Sequence, residues 1–156
     1  MTARNDFGGS QVEVCSSDQT LSDGEFLVDG TNGTITPFDN SIATRQWTSA
    51  RLTLTATPAA DPGTDATIDV YIWETDVDGT KDEVPPTVAD KQGADWVESF
   101  RIPDDMGTTE FSVTLLVSLV GVKLPSFSIV PREGENVADM ASGVTVKIEG
   151  ASFNDS

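Results

Sequence analysis

The chain has 156 residues, of which 26 are acidic and 9 are basic, giving a formal net charge of −17. This length fits one domain that buries enough surface to fold without disulfides or metals. The basic residues are scattered singly, so nucleic acid and anionic membranes would repel the chain, and we expect neither as a partner.

Residue types that are absent or rare exclude further classes of function. There is no histidine, which excludes Ser-His-Asp triads, Cys-His pairs and His-ligated metals. The single cysteine, Cys15, cannot form an intrachain disulfide and is expected to be a small core residue. Because nucleotide-binding and hydrolase motifs are absent as well, we expect no catalytic residue, no cofactor and no enzymatic activity.

The acidity itself has two interpretations. It serves solubility alone, or it reflects a high-salt habitat, since Asp outnumbers Glu and Lys is scarce; dense carboxylates keep a surface hydrated when salt screens repulsion. The N-terminus has no apolar segment, so we expect no secretory signal. The apolar stretch Leu115–Leu124 is far shorter than the roughly 20 residues that span a bilayer.

Residues 1–10 differ in composition from the rest of the chain. They contain Gly8-Gly9-Ser10 and few apolar side chains, which predicts a flexible N-terminal arm. The remainder, residues 11–156, is predicted to be a single β-sandwich domain.

Alternation of apolar and polar residues begins directly after the arm, at Gln11–Cys15, and predicts a strand. Glu25–Asp29 and Thr34–Phe38 follow, separated by Asn32-Gly33. Because Asn and Gly both accept positive φ, this dipeptide is typical of a tight hairpin turn. We therefore predict a hairpin between these two segments.

The later segments show the same period of about two residues, which predicts strands. They are Arg51–Thr57, Ala66–Thr75, Trp96–Ile102, Thr109–Val120, Phe127–Val130 and Val144–Glu149. Only Val137–Ser142 is compatible with one helical turn. Eight or nine short strands separated by turn residues predict an all-β fold, an antiparallel β-sandwich or jelly roll.

The segment Phe111–Val120 is the most apolar of these. Its odd-numbered positions are apolar, and Leu116 and Val120 are apolar on the opposite face. A strand of this kind is central in a sheet or lies under a partner. The predicted core comprises Val70, Ile72, Phe111, Val113, Leu115, Val117, Val144 and Val146.

One acidic segment is a candidate calcium site. Glu74, Asp76, Asp78 and Asp82 partly match the ligand spacing of an EF-hand loop, with Gly79 at the sixth position. Pro85 stands where the bidentate Glu is required, and no helix flanks the segment. The pattern favours a hairpin turn, with a cation site as the alternative, and we expect no metal.

Three tryptophans, Trp47, Trp73 and Trp96, are widely spaced. Packing in the core or at a subunit interface is the favoured interpretation. The alternative is an exposed, coplanar platform for a sugar.

The stretch Ala66-Thr-Ile-Asp-Val-Tyr-Ile-Trp-Glu-Thr-Asp-Val-Asp-Gly-Thr80 resembles the strand and Asp-Gly-Thr turn of small β-sandwich structural proteins of tailed-phage virions. In those proteins an alternating strand, here Arg51–Thr57, precedes it, and an aromatic-bearing strand, here Trp96–Ile102, often follows. The connection Val84–Asp95 is longer than usual for them.

The resemblance implies a non-enzymatic virion structural protein, made in the host cytoplasm. It would be a capsid decoration (cement) protein that binds a capsid lattice and forms a homo-oligomer, or a tail or head-tail component. A carbohydrate- or surface-binding β-sandwich module is the alternative from another class.

Overall fold

The computed structural model describes residues 3–40, 46–74, 95–132 and 139–155, and within them it contains eight strands and no helix. The strands are β1 (Ala3–Ser17), β2 (Gly33–Ile35), β3 (Ser49–Ala56), β4 (Thr67–Glu74), β5 (Asp95–Arg101), β6 (Phe111–Ser118), β7 (Pro125–Arg132) and β8 (Thr145–Asp155). A five-stranded sheet has the order β2-β1-β8-β3-β6, and a three-stranded sheet has the order β5-β4-β7. All strand pairs are antiparallel, so the predicted all-β sandwich is confirmed.

The strand pairs are nested along the chain. β1 pairs with β8, β3 with β6, and β4 with β5. Residues 24–27 complete the series beside β7, because the Gly24 N–H donates to the Pro131 carbonyl (2.7 Å) and the Leu27 N–H donates to the Ile129 carbonyl (3.0 Å). The first half of the chain thus pairs with the second half in reverse order, which is the winding of a jelly roll.

The core lies between the two sheets. Along β3 every second residue is buried, so Leu52 and Leu54 point inward while Thr53 and Thr55 point outward. Of the predicted core residues, Val70, Phe111, Val117, Val144 and Val146 are buried. Ile72, Val113 and Leu115 were also predicted to be core, but they are only partly buried, because Val113 and Leu115 lie on an edge strand and Ile72 lies near the end of β4.

A second, smaller apolar cluster covers the outer face of the three-stranded sheet. Phe26 packs edge-on against Tyr71, with 5.1 Å between ring centroids, and Val130 completes the cluster. This cover explains why β7 is buried on both faces.

The predicted hairpin at Asn32-Gly33 is wrong. Neither residue has positive φ, Glu25–Asp29 is not a strand, and β2 pairs with β1 instead. Asn32 is buried, and its side-chain amide binds Glu25, Phe26 and Val28. A tertiary contact also explains Gly33, since a Cβ there would overlap the Ser16 carbonyl oxygen of β1.

Two other predictions concern the chain ends and the helical turn. The backbone of residues 3–8 pairs with Gly150–Asp155 as part of β1, and the mobility of the arm in solution stays a prediction. Residues 139–142, the described part of the proposed helical turn, are not helical. Instead, Met140 forms bridges with Leu21 and Pro58, while residues 137 and 138 lie outside the described ranges.

Candidate interaction surface

Each sheet has two edge strands, and three of these four edges are protected. β2 has only three residues. β5 carries charged side chains at Glu98 and Arg101. β7 is covered by residues 24–27 and by residues 38–40, whose Phe38 N–H donates to the Pro125 carbonyl (2.8 Å). Short length, charge and cover are the usual means by which proteins prevent edge-to-edge association.

Within the described part of the chain, β6 has none of these protections. It is eight residues long, with the sequence FSVTLLVS, and contains no charged residue, proline or glycine. The prediction that this strand is central is wrong, because it forms the edge of the five-stranded sheet; the alternative, that it lies under a partner, stays a prediction. Leu116 is 61% exposed and Val120 is 73% exposed. An exposed, uncharged edge of this length is suited to pairing with another strand.

The register shows which backbone groups of β6 face outward. The Leu119 N–H donates to the Thr48 carbonyl (2.9 Å), and pairing continues without a shift from Ser49–Ser118 to Ala56–Phe111. Hydrogen-bonded and non-hydrogen-bonded pairs alternate in an antiparallel ladder, so the odd-numbered residues of β6 bond to β3. The even-numbered residues direct their N–H and C=O groups away from the sheet. We call these four residues, Ser112, Thr114, Leu116 and Ser118, the β6 edge.

The outer face of the five-stranded sheet adjoins the β6 edge. The part of this outer face formed by β3, β6 and β8 carries seven small hydroxyl side chains, which we call the hydroxyl face: Ser49, Thr53, Thr55, Ser112, Thr114, Ser118 and Thr145. Among these strands the register places Thr53 between Thr114 and Lys147, and Arg51 between Leu116 and Glu149. The hydroxyl Oγ1 of Thr55 lies 2.8 Å from the Oγ of Ser112.

Charges balance among the described side chains of the hydroxyl face and of the neighbouring strand β1. The described side chains include two basic residues, Arg51 and Lys147, and two acidic residues, Glu13 and Glu149. Arg51 Nη2 and Glu149 Oε2 form an ion pair at 2.6 Å, and Glu13 lies opposite Lys147. In a chain with a net charge of −17, such a neutral face is a region that another acidic protein can approach without strong repulsion.

The tryptophans do not form the platform considered as an alternative, as far as their side chains are described. Trp73 is buried. Trp47 is partly buried, packs against the core and lies directly over Gly150, where a Cβ would overlap its indole ring. The core interpretation therefore holds for Trp47 and Trp73, while the side chain of Trp96 lies outside the described part of the chain.

Of the four candidate calcium ligands, only Glu74 belongs to the residues that the structure describes. Its Oε1 accepts hydrogen bonds from the backbone N–H groups of Lys123 (2.8 Å) and Leu124 (3.2 Å), so this carboxylate holds the turn that leads into β7. Asp76, Asp78 and Asp82 lie outside the described residues. Elsewhere in the described ranges, no group of three or more His, Cys, Asp or Glu side chains could hold a metal ion.

Cys15 is a core residue, as predicted. Burial raises the pKa of its thiol far above the ordinary value, and the nearby charge of Glu13 raises it further. Since the thiolate is the reactive form, we expect this side chain to be unreactive in the folded protein.

Sequence reasoning identified Leu116 and Val120 as apolar residues on a second face, but it missed the β6 edge and the hydroxyl face. The alternation of Thr and Ser along β3 and β6 was a usable signal for the hydroxyl face.

No helix in the described ranges is long and apolar enough to cross a membrane. No protein-family model matches the chain, and no curated protein matches its sequence.

Proposed function

We propose that the protein is a non-enzymatic structural subunit of a virion, specifically a capsid decoration (cement) protein that binds a capsid lattice and stabilises it. The observation that carries this proposal is the neutral hydroxyl face bordered by the unprotected β6 edge, on a chain whose net charge is −17. Acidic residues elsewhere keep the free subunit soluble, while the neutral surface is where it adheres to other proteins.

The physical properties of the surface suit a subunit that is repeated many times. Hydroxyl side chains are short, so a partner surface can approach the sheet closely there. Weak contacts of this kind add up when many copies bind one lattice. A ligand that prefers the assembled state over free capsid subunits stabilises that state by mass action.

The fold gives further support, by analogy only. Jelly rolls are found in viral capsid proteins and in lectins, and a fold by itself does not establish a function. The carbohydrate-binding alternative requires an exposed aromatic platform. Trp73 is buried and Trp47 packs against the core, so these two residues do not support it. A tail or head-tail component would use the same surface and differs only in its position on the particle.

The test is protein mass spectrometry on density-purified virus particles from the source culture. We expect a stoichiometric component of 16.6 kDa, located on the capsid and not on isolated tails. Recovery on tails alone would select the tail alternative. Absence from the particles, together with binding to a glycan array, would overturn the proposal in favour of a carbohydrate-binding module.

A matched pair of variants tests whether the hydroxyl face binds the lattice. Thr53→Glu places a charge at the centre of this face, where Lys147 lies opposite and helps the fold tolerate it. Ser142→Glu adds the same charge at an exposed position outside the strands. Rebinding to stripped particles should be lost for Thr53→Glu and kept for Ser142→Glu; equal rebinding of both would contradict a role for this face.

A further inference from the structure

We propose that two copies of the chain associate through the β6 edge, with the two β6 strands pairing antiparallel across a two-fold axis. The two five-stranded sheets would then form one continuous sheet. This inference goes beyond the proposed function, because it names a site for the homo-oligomer that the resemblance implies. It does not require that the protein binds a capsid.

The β6 edge offers unpaired backbone groups and apolar side chains to a partner. Ser112, Thr114, Leu116 and Ser118 direct their backbone groups away from β3, and among the described residues no strand pairs with that side. Side chains of β6 are partly exposed as well, including Val113 and Leu115 on the inner face and Leu116 on the outer face. An added strand satisfies the backbone groups and covers these side chains together.

A second copy fits this edge because the edge is complementary to itself. A two-fold axis perpendicular to the sheet makes the paired strands antiparallel, and each residue then contacts its counterpart reciprocally. If Leu115 lies on the axis, Ser112 pairs with Ser118 of the second copy, and Thr114 pairs with Leu116. All four outward residues of each copy then form hydrogen-bonded pairs. A shift of the axis by one residue in either direction leaves one of these residues without a partner in β6.

The side chains agree with this register. On the inner face Leu115 meets Leu115 of the second copy, and Val113 meets Val117. On the outer face Leu116 lies beside Thr114. No charged residue lies within either strand, so the pairing brings no like charges into direct opposition.

Electrostatics make the association depend on salt. Each copy has a net charge of −17, so repulsion between the remaining surfaces opposes the dimer. Salt screens exposed charges beyond about 10 Å at 0.1 M, and it strengthens the burial of apolar side chains when it is a salting-out salt. We therefore expect the dimer to strengthen as the salt concentration rises.

Sedimentation velocity of the full chain across a concentration series, at low and at molar salt, measures the dissociation constant. Leu116→Lys places a charge on the β6 edge, and Val12→Lys makes the same change at an exposed apolar residue of β1, far from that edge. We expect Leu116→Lys to weaken the dimer by at least about tenfold and Val12→Lys to leave it unchanged. Circular dichroism of both variants serves as the control for folding. A monomer under every condition, or equal effects of the two variants, would overturn the proposal.

Crosslinking tests the register directly, in a Cys15→Ala background that removes the native thiol. Leu115→Cys brings two thiols together on the axis, at a non-hydrogen-bonded pair whose Cα atoms lie about 4.5 Å apart, which is within disulfide range. Val113→Cys is the control, since it changes another partly buried residue on the same face of β6 whose counterpart is too distant. Crosslinking of Leu115→Cys alone supports the register, and crosslinking of Val113→Cys instead refutes it. A dimer in solution together with absence from particles would overturn the proposed capsid role while this pairing stands.

Discussion

Replacing the buried residue Asn40 by alanine should destabilise the fold more than its position in an irregular segment suggests. The side chain is 1% exposed. Its Nδ2 donates to the carbonyl oxygens of Trp47 and Val122, both at 2.9 Å, and its Oδ1 accepts a hydrogen bond from the Trp47 N–H at 2.7 Å. This one amide thereby connects the chain ahead of β3 to the turn after β6.

The size of the effect follows from these three hydrogen bonds. Each contributes about 1 kcal/mol net, and a buried group left without its partner costs about 1–3 kcal/mol. Asn40→Ala should therefore lower the free energy of unfolding by about 3 kcal/mol. For a domain of this length the corresponding fall in Tm is about 6–12 °C. Asn40→Asp should cost at least as much at neutral pH, because it replaces two donors by a carboxylate that faces two carbonyl oxygens.

Urea unfolding followed by far-UV circular dichroism measures the change. Gln19→Ala is the matched control, because it removes an exposed amide with one long hydrogen bond, 3.3 Å to the Thr31 carbonyl, and should change stability by less than about 0.5 kcal/mol. If the free energy of unfolding of Asn40→Ala lies within about 1 kcal/mol of the wild-type value, the three hydrogen bonds do not stabilise the fold by the expected amount.

Three further predictions concern a glycine, the thiol and the charge. Gly33→Ala should lower stability by about 1–3 kcal/mol, because its Cβ would overlap the Ser16 carbonyl oxygen; unchanged urea unfolding would refute the close approach. Cys15 should not react with Ellman's reagent until the protein unfolds. Burial raises the pKa of this thiol in the folded state. The stability that the buried thiol contributes is therefore complete below the ordinary thiol pKa of about 8.5 and is lost as the pH rises above that value. Cys15→Ala should remove this pH dependence of the free energy of unfolding. With a net charge of −17, Tm should rise with salt, and a Tm that is flat from low to molar salt would argue against adaptation to high salt.

Local alternation was sufficient to predict most of the strands. Arg51–Thr57 and Ala66–Thr75 correspond closely to β3 and β4, because side chains of a strand point to opposite faces in turn and a half-buried strand must alternate. The absence of a long helical period likewise agrees with a structure whose described part has no helix. These properties depend on neighbours along the chain and can be read without knowing the fold.

Local preference failed at Asn32-Gly33. The dipeptide has the composition of a tight turn, but the amide of Asn32 is used to hold residues 25–28, and Gly33 is needed because β1 approaches it closely. Both contacts form only when segments distant in sequence come together. Turn chemistry therefore could not distinguish this role from a hairpin.

The candidate surface depended on tertiary structure in the same way. Composition identified Phe111–Val120 as apolar on both faces, but whether such a strand is central or at an edge depends on the nested pairing of the chain. Among the described residues, that pairing gives β6 one neighbour, β3. The hydroxyl face arises because β3, β6 and β8 present their outward residues side by side. The sequence by itself determined which residues can face solvent, because the period of two residues in a strand depends only on local sequence. The tertiary structure decided which of these residues become neighbours, because pairing between strands joins segments that are distant in sequence.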